Sequence, residues 1–152
     1  MEIGRRVYYD VATGNFILDT GERAGLVVVT TIDQDISTFK ELSERNRESF
    51  DVIELEYGQL TQDFMESTSI HVNLEKLSTL TAGEEWKAIE FSYPDPNIPP
   101  DEQEPIYIAP LSEKVTKLEQ ENILLKAQNQ ALTDRTDFHE DVLTEIILTI
   151  NP

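Results

Sequence analysis

The chain has 152 residues with 30 acidic and 12 basic side chains, a formal net charge of −18 and a pI near 4.3. That length excludes a large multidomain enzyme, and so acidic a surface repels phosphate backbones and anionic lipid, so neither nucleic acid nor a membrane is an expected partner. The 39% apolar content at a mean hydropathy of −0.38 still allows a buried core, while the absence of cysteine excludes disulfides, thiolate metal sites and cysteine nucleophiles.

The N-terminal Met1-Glu2-Ile3-Gly4-Arg5-Arg6 has no apolar stretch behind its charges, and no run approaches the ~18 apolar residues of a membrane span. Synthesis in the cytosol is the expectation. Val7–Asp10 and Phe16–Asp19 flank a loop in which Gly14 and Asn15 can both take positive φ, which predicts a hairpin. A second turn at Gly21–Gly25 leads into Leu26–Thr31, a β-branched run suited to a central strand buried on both faces. Tyr8 and Tyr9 read as one core and one edge residue of the hairpin.

Ile36, Phe39 and Leu42 recur at helical spacing after Asp33 and Asp35, with Arg45 and Arg47 at the far end, where the helix dipole favours cations. Three period-two patterns follow, at Ile53-Leu55-Tyr57, Ile70-Val72-Leu74 and Ile89-Phe91-Tyr93. Leu60–Met65 and Leu74–Leu80 carry no clear period. The expected fold class is α+β: residues 1–93 form a β-rich head, a small antiparallel sheet or sandwich with one helix.

All six glycines lie at or before Gly83 and all seven prolines at or after Pro94. Residues 94–110 therefore read as an acidic, proline-rich connector. Its stretch from Pro94 to Pro105 spans about 37 Å if it is polyproline II, or it lies along the head as an ordered strap.

Residues 111–152 are the predicted helical, coiled-coil-like segment. Leu111, Leu118, Leu125 and Leu132 recur every seven residues at position d of a heptad, with Val115, Asn122 and Asn129 at a. From Leu111 to Thr133 there is no glycine or proline, giving a rod of about 35 Å at 1.5 Å per residue. A stripe this narrow is marginal in a lone helix and calls for a partner, either a second copy or the chain's own sheet. The seam asparagines would fix register at a cost in stability. Thr136 and His139 interrupt the heptads, so a break at Thr133–Thr136 is expected. Beyond it Phe138, Val142, Ile146 and Ile150, joined by Leu143 and Ile147, form a new stripe that docks on another subunit or partner.

Chemistry finds little support. His71 and His139 each lack a second histidine at ligand spacing, and no nucleophile elbow, Walker loop or dinucleotide-binding loop occurs. Glu54 with Glu56, and Glu84 with Glu85 beside Trp86, are pairs that so acidic a chain produces by chance. Asp33-Gln34-Asp35 and Asp95–Glu104 lack the spacing of a calcium-binding loop. The residues preceding the leucines are acidic, unlike the basic region of a DNA-binding zipper. No catalytic residue, cofactor or metal is expected.

Val7–Leu18 resembles the opening hairpin of small proteins encoded among the tail and baseplate genes of siphophages that infect Gram-positive bacteria. Leu118–Asn122 and Ala131–Phe138 similarly resemble the coil and terminal helix that end such proteins. The resemblance implies a virion structural part in the phage tail, with a β-rich head related in fold to the shoulder domain of lactococcal phage receptor-binding proteins. The acidic connector and the pairing of two asparagines in the seam are not features it matches. The expected role is non-enzymatic: a homo-oligomer, a partner of other tail proteins, or both. A tail-assembly chaperone or regulator that never enters the virion is the alternative, and a carbohydrate-binding or carbohydrate-cleaving module around Trp86 and Glu84 a weaker third.

Overall fold

Strand β2, Arg6–Asp10, is the element around which the head is built. In the computed structural model, which describes residues 1–150, it pairs antiparallel with β3, Phe16–Asp19, on one side and β5, Phe50–Glu54, on the other. Side chains alternate across a strand. Val7 and Tyr9 therefore enter one core with Ile53, Val72, Ile89 and Phe91, while Tyr8 enters a second core with Leu42 and Phe50. Both tyrosines are buried, so neither is the edge residue that the pair was expected to include.

The hairpin joining β2 to β3 forms as its sequence predicts, with Gly14 at φ 77° and Asn15 outside the left-handed region. Its tip packs closely on the next sheet. The Val72 amide donates to the Gly14 carbonyl at 2.8 Å, and a β-carbon on Gly14 would sit 2.1 Å from the Val72 carbonyl oxygen. Only glycine fits there. Val72 ends β6, Ser69–Val72, which pairs antiparallel with β7, Ile89–Ser92.

Leu26–Thr31 is not the central strand its composition suggests. Glu2–Ile3 (β1) and Arg23–Ala24 (β4) make a separate two-stranded ladder, after which the chain runs without strand pairing and Leu26, Val28 and Val29 lie exposed. Both sides of β2 are already taken, and β-branched residues favour strands only where a neighbour offers a ladder. Thr30 and Thr31 serve the following helix instead. Thr31 caps α1, Ile32–Thr38, in a reciprocal capping box with Gln34.

The single helix expected after Asp33 is divided at Phe39 into α1 and a one-turn α2, Lys40–Ser43. Arg45 lies beyond its end and pairs with Asp10 at 3.6 Å. Asp35, on α1, is buried and accepts hydrogen bonds from Arg6, Tyr8 and Thr30 at 2.7–2.8 Å. Burial alone would raise the Asp35 carboxyl's pKa, but these three donors and the Arg6 charge bring it below the ordinary range. Tyr8 is pushed well above its usual value by burial and by the Asp35 carboxylate.

The two segments without a clear period are helices, α3 at Thr61–Glu66 and α4 at Leu74–Thr79, the latter capped by Asn73. Both are too short to show a helical period.

The proline-rich connector is an ordered strap. Ile108 exchanges two backbone hydrogen bonds with Phe91, at 2.8 and 2.9 Å, and the Tyr107 hydroxyl meets Ser69 at 2.7 Å. The Gln103 amide ties the carbonyls of Asp95 and Ile98, and Pro110 is fully buried. The strap thus belongs to a first compact unit whose boundary falls between Ser112 and Glu113. The architecture is mixed α+β, with small antiparallel sheets and one long C-terminal helix, α5, Leu111–Ile150.

Candidate interaction surface

Helix α5 runs unbroken for 40 residues, and the break expected at Thr133–Thr136 does not occur. The Thr133 hydroxyl donates to the Asn129 carbonyl at 3.0 Å and that of Thr136 to Leu132 at 2.9 Å, so each threonine satisfies itself on the preceding turn. With no glycine or proline from Leu111 to Ile150, nothing removes a backbone hydrogen bond.

Continuity changes how the apolar pattern reads. Counting in sevens through Thr136 and His139 brings Leu143 and Ile150 to position a and Ile146 to d. The supposed second stripe is therefore the first one resumed, after an interval of polar residues at seam positions. That same count, carried two heptads past Leu132, would have found it in the sequence.

Of the residues singled out, Leu111 is half-buried at the root of the helix. Val115, Leu118, Asn122, Leu125, Asn129, Leu132, Phe138, Val142 and Ile146 are all exposed on it, Leu118 at 53%. The seam members share one side of α5, whereas Phe138 stands off the a and d positions. Val142 and Ile147 flank the seam at g and e, so the apolar face broadens towards the C-terminal end.

The root of α5 is built by residues that sequence reasoning passed over. The Tyr93 hydroxyl donates to buried Asp63 at 2.6 Å and accepts from the Leu111 amide at 3.1 Å. Asp63 also accepts from the amide of Ser112, at 3.2 Å, and from its hydroxyl. The amides that open a helix have no partner within it, and a carboxylate there complements the helix dipole. Burial and Asp63 push the Tyr93 hydroxyl well above its usual pKa.

An open acidic groove of about 1000 Å³ on the head is lined by Tyr9, Asp51, Glu54, Glu56, Glu85 and Trp86. Glu84, beside it, bonds Lys87 at 2.7 Å and Thr81 at 2.9 Å, which hold its carboxyl below the ordinary range. A glycosidase acid needs the opposite shift. His71 lies 5.1 Å from the Tyr107 ring and His139 sits on α5. Among the described residues, no three potential ligands gather for a metal, and no helix is long and apolar enough to cross a membrane.

Comparisons with protein-family models, with curated proteins and with solved structures found no match.

Proposed function

We propose that the chain is a non-enzymatic structural or assembly component of a phage tail or baseplate, working in the virion after synthesis in the host cytoplasm. Its β-rich head is read as a small sandwich, with β6 and β7 facing one side of the β3-β2-β5 sheet across a shared core. Helix α5 is read as one strand of a coiled coil, which joins sister copies, other tail proteins or both. No cofactor takes part in this role.

The exposure of the heptad seam along an unbroken helix is the observation that carries the reading. A helix of about 60 Å, at 1.5 Å per residue, that leaves its leucines in water forgoes the burial that stabilises most protein helices. A partner helix restores it. The likeness of the hairpin and of the helix sequence to siphophage tail proteins supplies the place of action.

Light scattering on the full-length chain tests the assembly role: a multimer is expected, and Leu118→Ala with Leu125→Ala should shift it to monomer, because each buried leucine lost from a seam costs ~2–5 kcal/mol. A monomeric wild-type chain overturns self-association and leaves α5 only the docking on other tail proteins. Mass spectrometry of purified virions should find the protein, and its absence there favours an assembly chaperone instead.

A further inference from the structure

We infer that α5 pairs with the same helix of a second copy of this chain, parallel and in register, as a two-stranded coil. The inference rests on the reading of α5 as an interaction element and specifies its partner. Charge at the positions flanking the seam favours that pairing. In a parallel coil, each g residue meets the e residue five positions on in the partner. Lys114 then faces Glu119, Glu121 faces Lys126, and Arg135 faces Glu140. Gln128 faces Thr133, and Val142 faces Ile147 where the apolar face broadens. Every charged pair is of opposite sign, and the one apolar flank meets another.

Turning one helix end for end, with Leu111 opposite Ile150 for full overlap, destroys this matching. Flanking positions then meet their own kind, e with e and g with g, so Glu119 lies beside Glu140 and Glu121 beside Val142.

Seam chemistry gives the same preference. A parallel, in-register pair sets Asn122 on Asn122, Asn129 on Asn129, Thr136 on Thr136 and His139 on His139, so each polar side chain meets a group that can donate and accept. The antiparallel pair sets Asn129 against Leu132 and Thr136 against Leu125, leaving an amide and a hydroxyl facing hydrocarbon. Leucine at the first four d positions, with valine at one a position and asparagine at two more, favours two strands over the N-terminal heptads, and Leu143 at a with Ile146 at d departs from that pattern.

The chain has no cysteine, so a single introduced thiol can report which residues meet. Val115→Cys and Ile146→Cys are made separately in the full-length protein, oxidised alone and as an equal mixture, and weighed by light scattering. A disulfide needs α-carbons within about 7 Å, which only facing seam positions satisfy. The expected result is a mass of two copies, with each variant cross-linking to itself when oxidised alone. A two-copy mass with cross-linking only in the mixture would mean antiparallel pairing, and three or more copies would contradict two strands. Either overturns the inference while leaving the assembly role standing. A monomer at every concentration overturns the inference and leaves α5 only the docking on other tail proteins.

Discussion

The carboxylate of Asp63 caps helix α5 by accepting from both the amide and the hydroxyl of Ser112, 49 residues further along the chain. Tyr93 completes the arrangement by bridging Asp63 to Leu111. Asp63→Ala would leave these donors without their acceptor. Each partly buried donor that loses this acceptor costs about 1 kcal/mol, read as a lower midpoint in guanidinium unfolding followed through Trp86, the single tryptophan of the chain. Ser112→Ala should cost less, since the backbone amide bond survives.

Asp35 links α1 to β2 through Arg6 and Tyr8. Asp35→Ala is expected to destabilise the head by about 3–5 kcal/mol, because it strands a partly buried guanidinium as well as two hydroxyls. Tyr8→Phe should cost about 1–2 kcal/mol. The double variant should be less unstable than the sum of the two, since they share one hydrogen bond, and a double-mutant cycle measures the difference.

The same residues set opposite limits in pH. Asp35 has a lowered folded pKa, so the unfolded chain takes up its proton first; its stabilisation is complete above the unfolded value of about 3.9 and is lost as the pH falls towards the folded one. Tyr8 has a raised folded pKa, so its stabilisation is complete below about 10 and is lost as the pH rises beyond that. Thermal melts across pH should show the gap between wild type and Asp35→Asn closing on the acid side. The gap between wild type and Tyr8→Phe should close on the alkaline side.

Gly14→Ala tests the docking of the hairpin tip on β6. The added methyl group meets a positive φ and the Val72 carbonyl together, so a loss of about 2–4 kcal/mol in denaturant is expected. Substituting Gly25, also at positive φ but with nothing within 4 Å, should cost distinctly less.

Local pattern carried the first hairpin and the central part of the three period-two segments, but each runs past its strand: Tyr57 is exposed beyond β5, Leu74 opens α4 and Tyr93 lies beyond β7. It misplaced the centre of the head: Leu26–Val29 has the stronger strand composition, yet Val7–Tyr9 is the segment with a neighbour on each side. Composition records propensity, while occupancy of a ladder depends on where the rest of the chain goes. Asp63 gave no signal in the sequence either, since its partners Tyr93 and Ser112 are brought to it only by the fold. The long helix misled in the opposite way. Thr133, Thr136 and His139 weaken the apolar stripe without weakening the backbone, so in the sequence a polar interval reads as an end.

Phe91 turns its amide and carbonyl outward from β6, and Ile108 takes both. An open β-edge is a template on which foreign chains add strand after strand, and neighbouring copies held close together are the readiest source of them. Here the strap occupies that edge and carries Pro105 and Pro110 on either side of Ile108, neither with an amide to offer. Crowding such heads together therefore does not invite runaway fibril growth from β7.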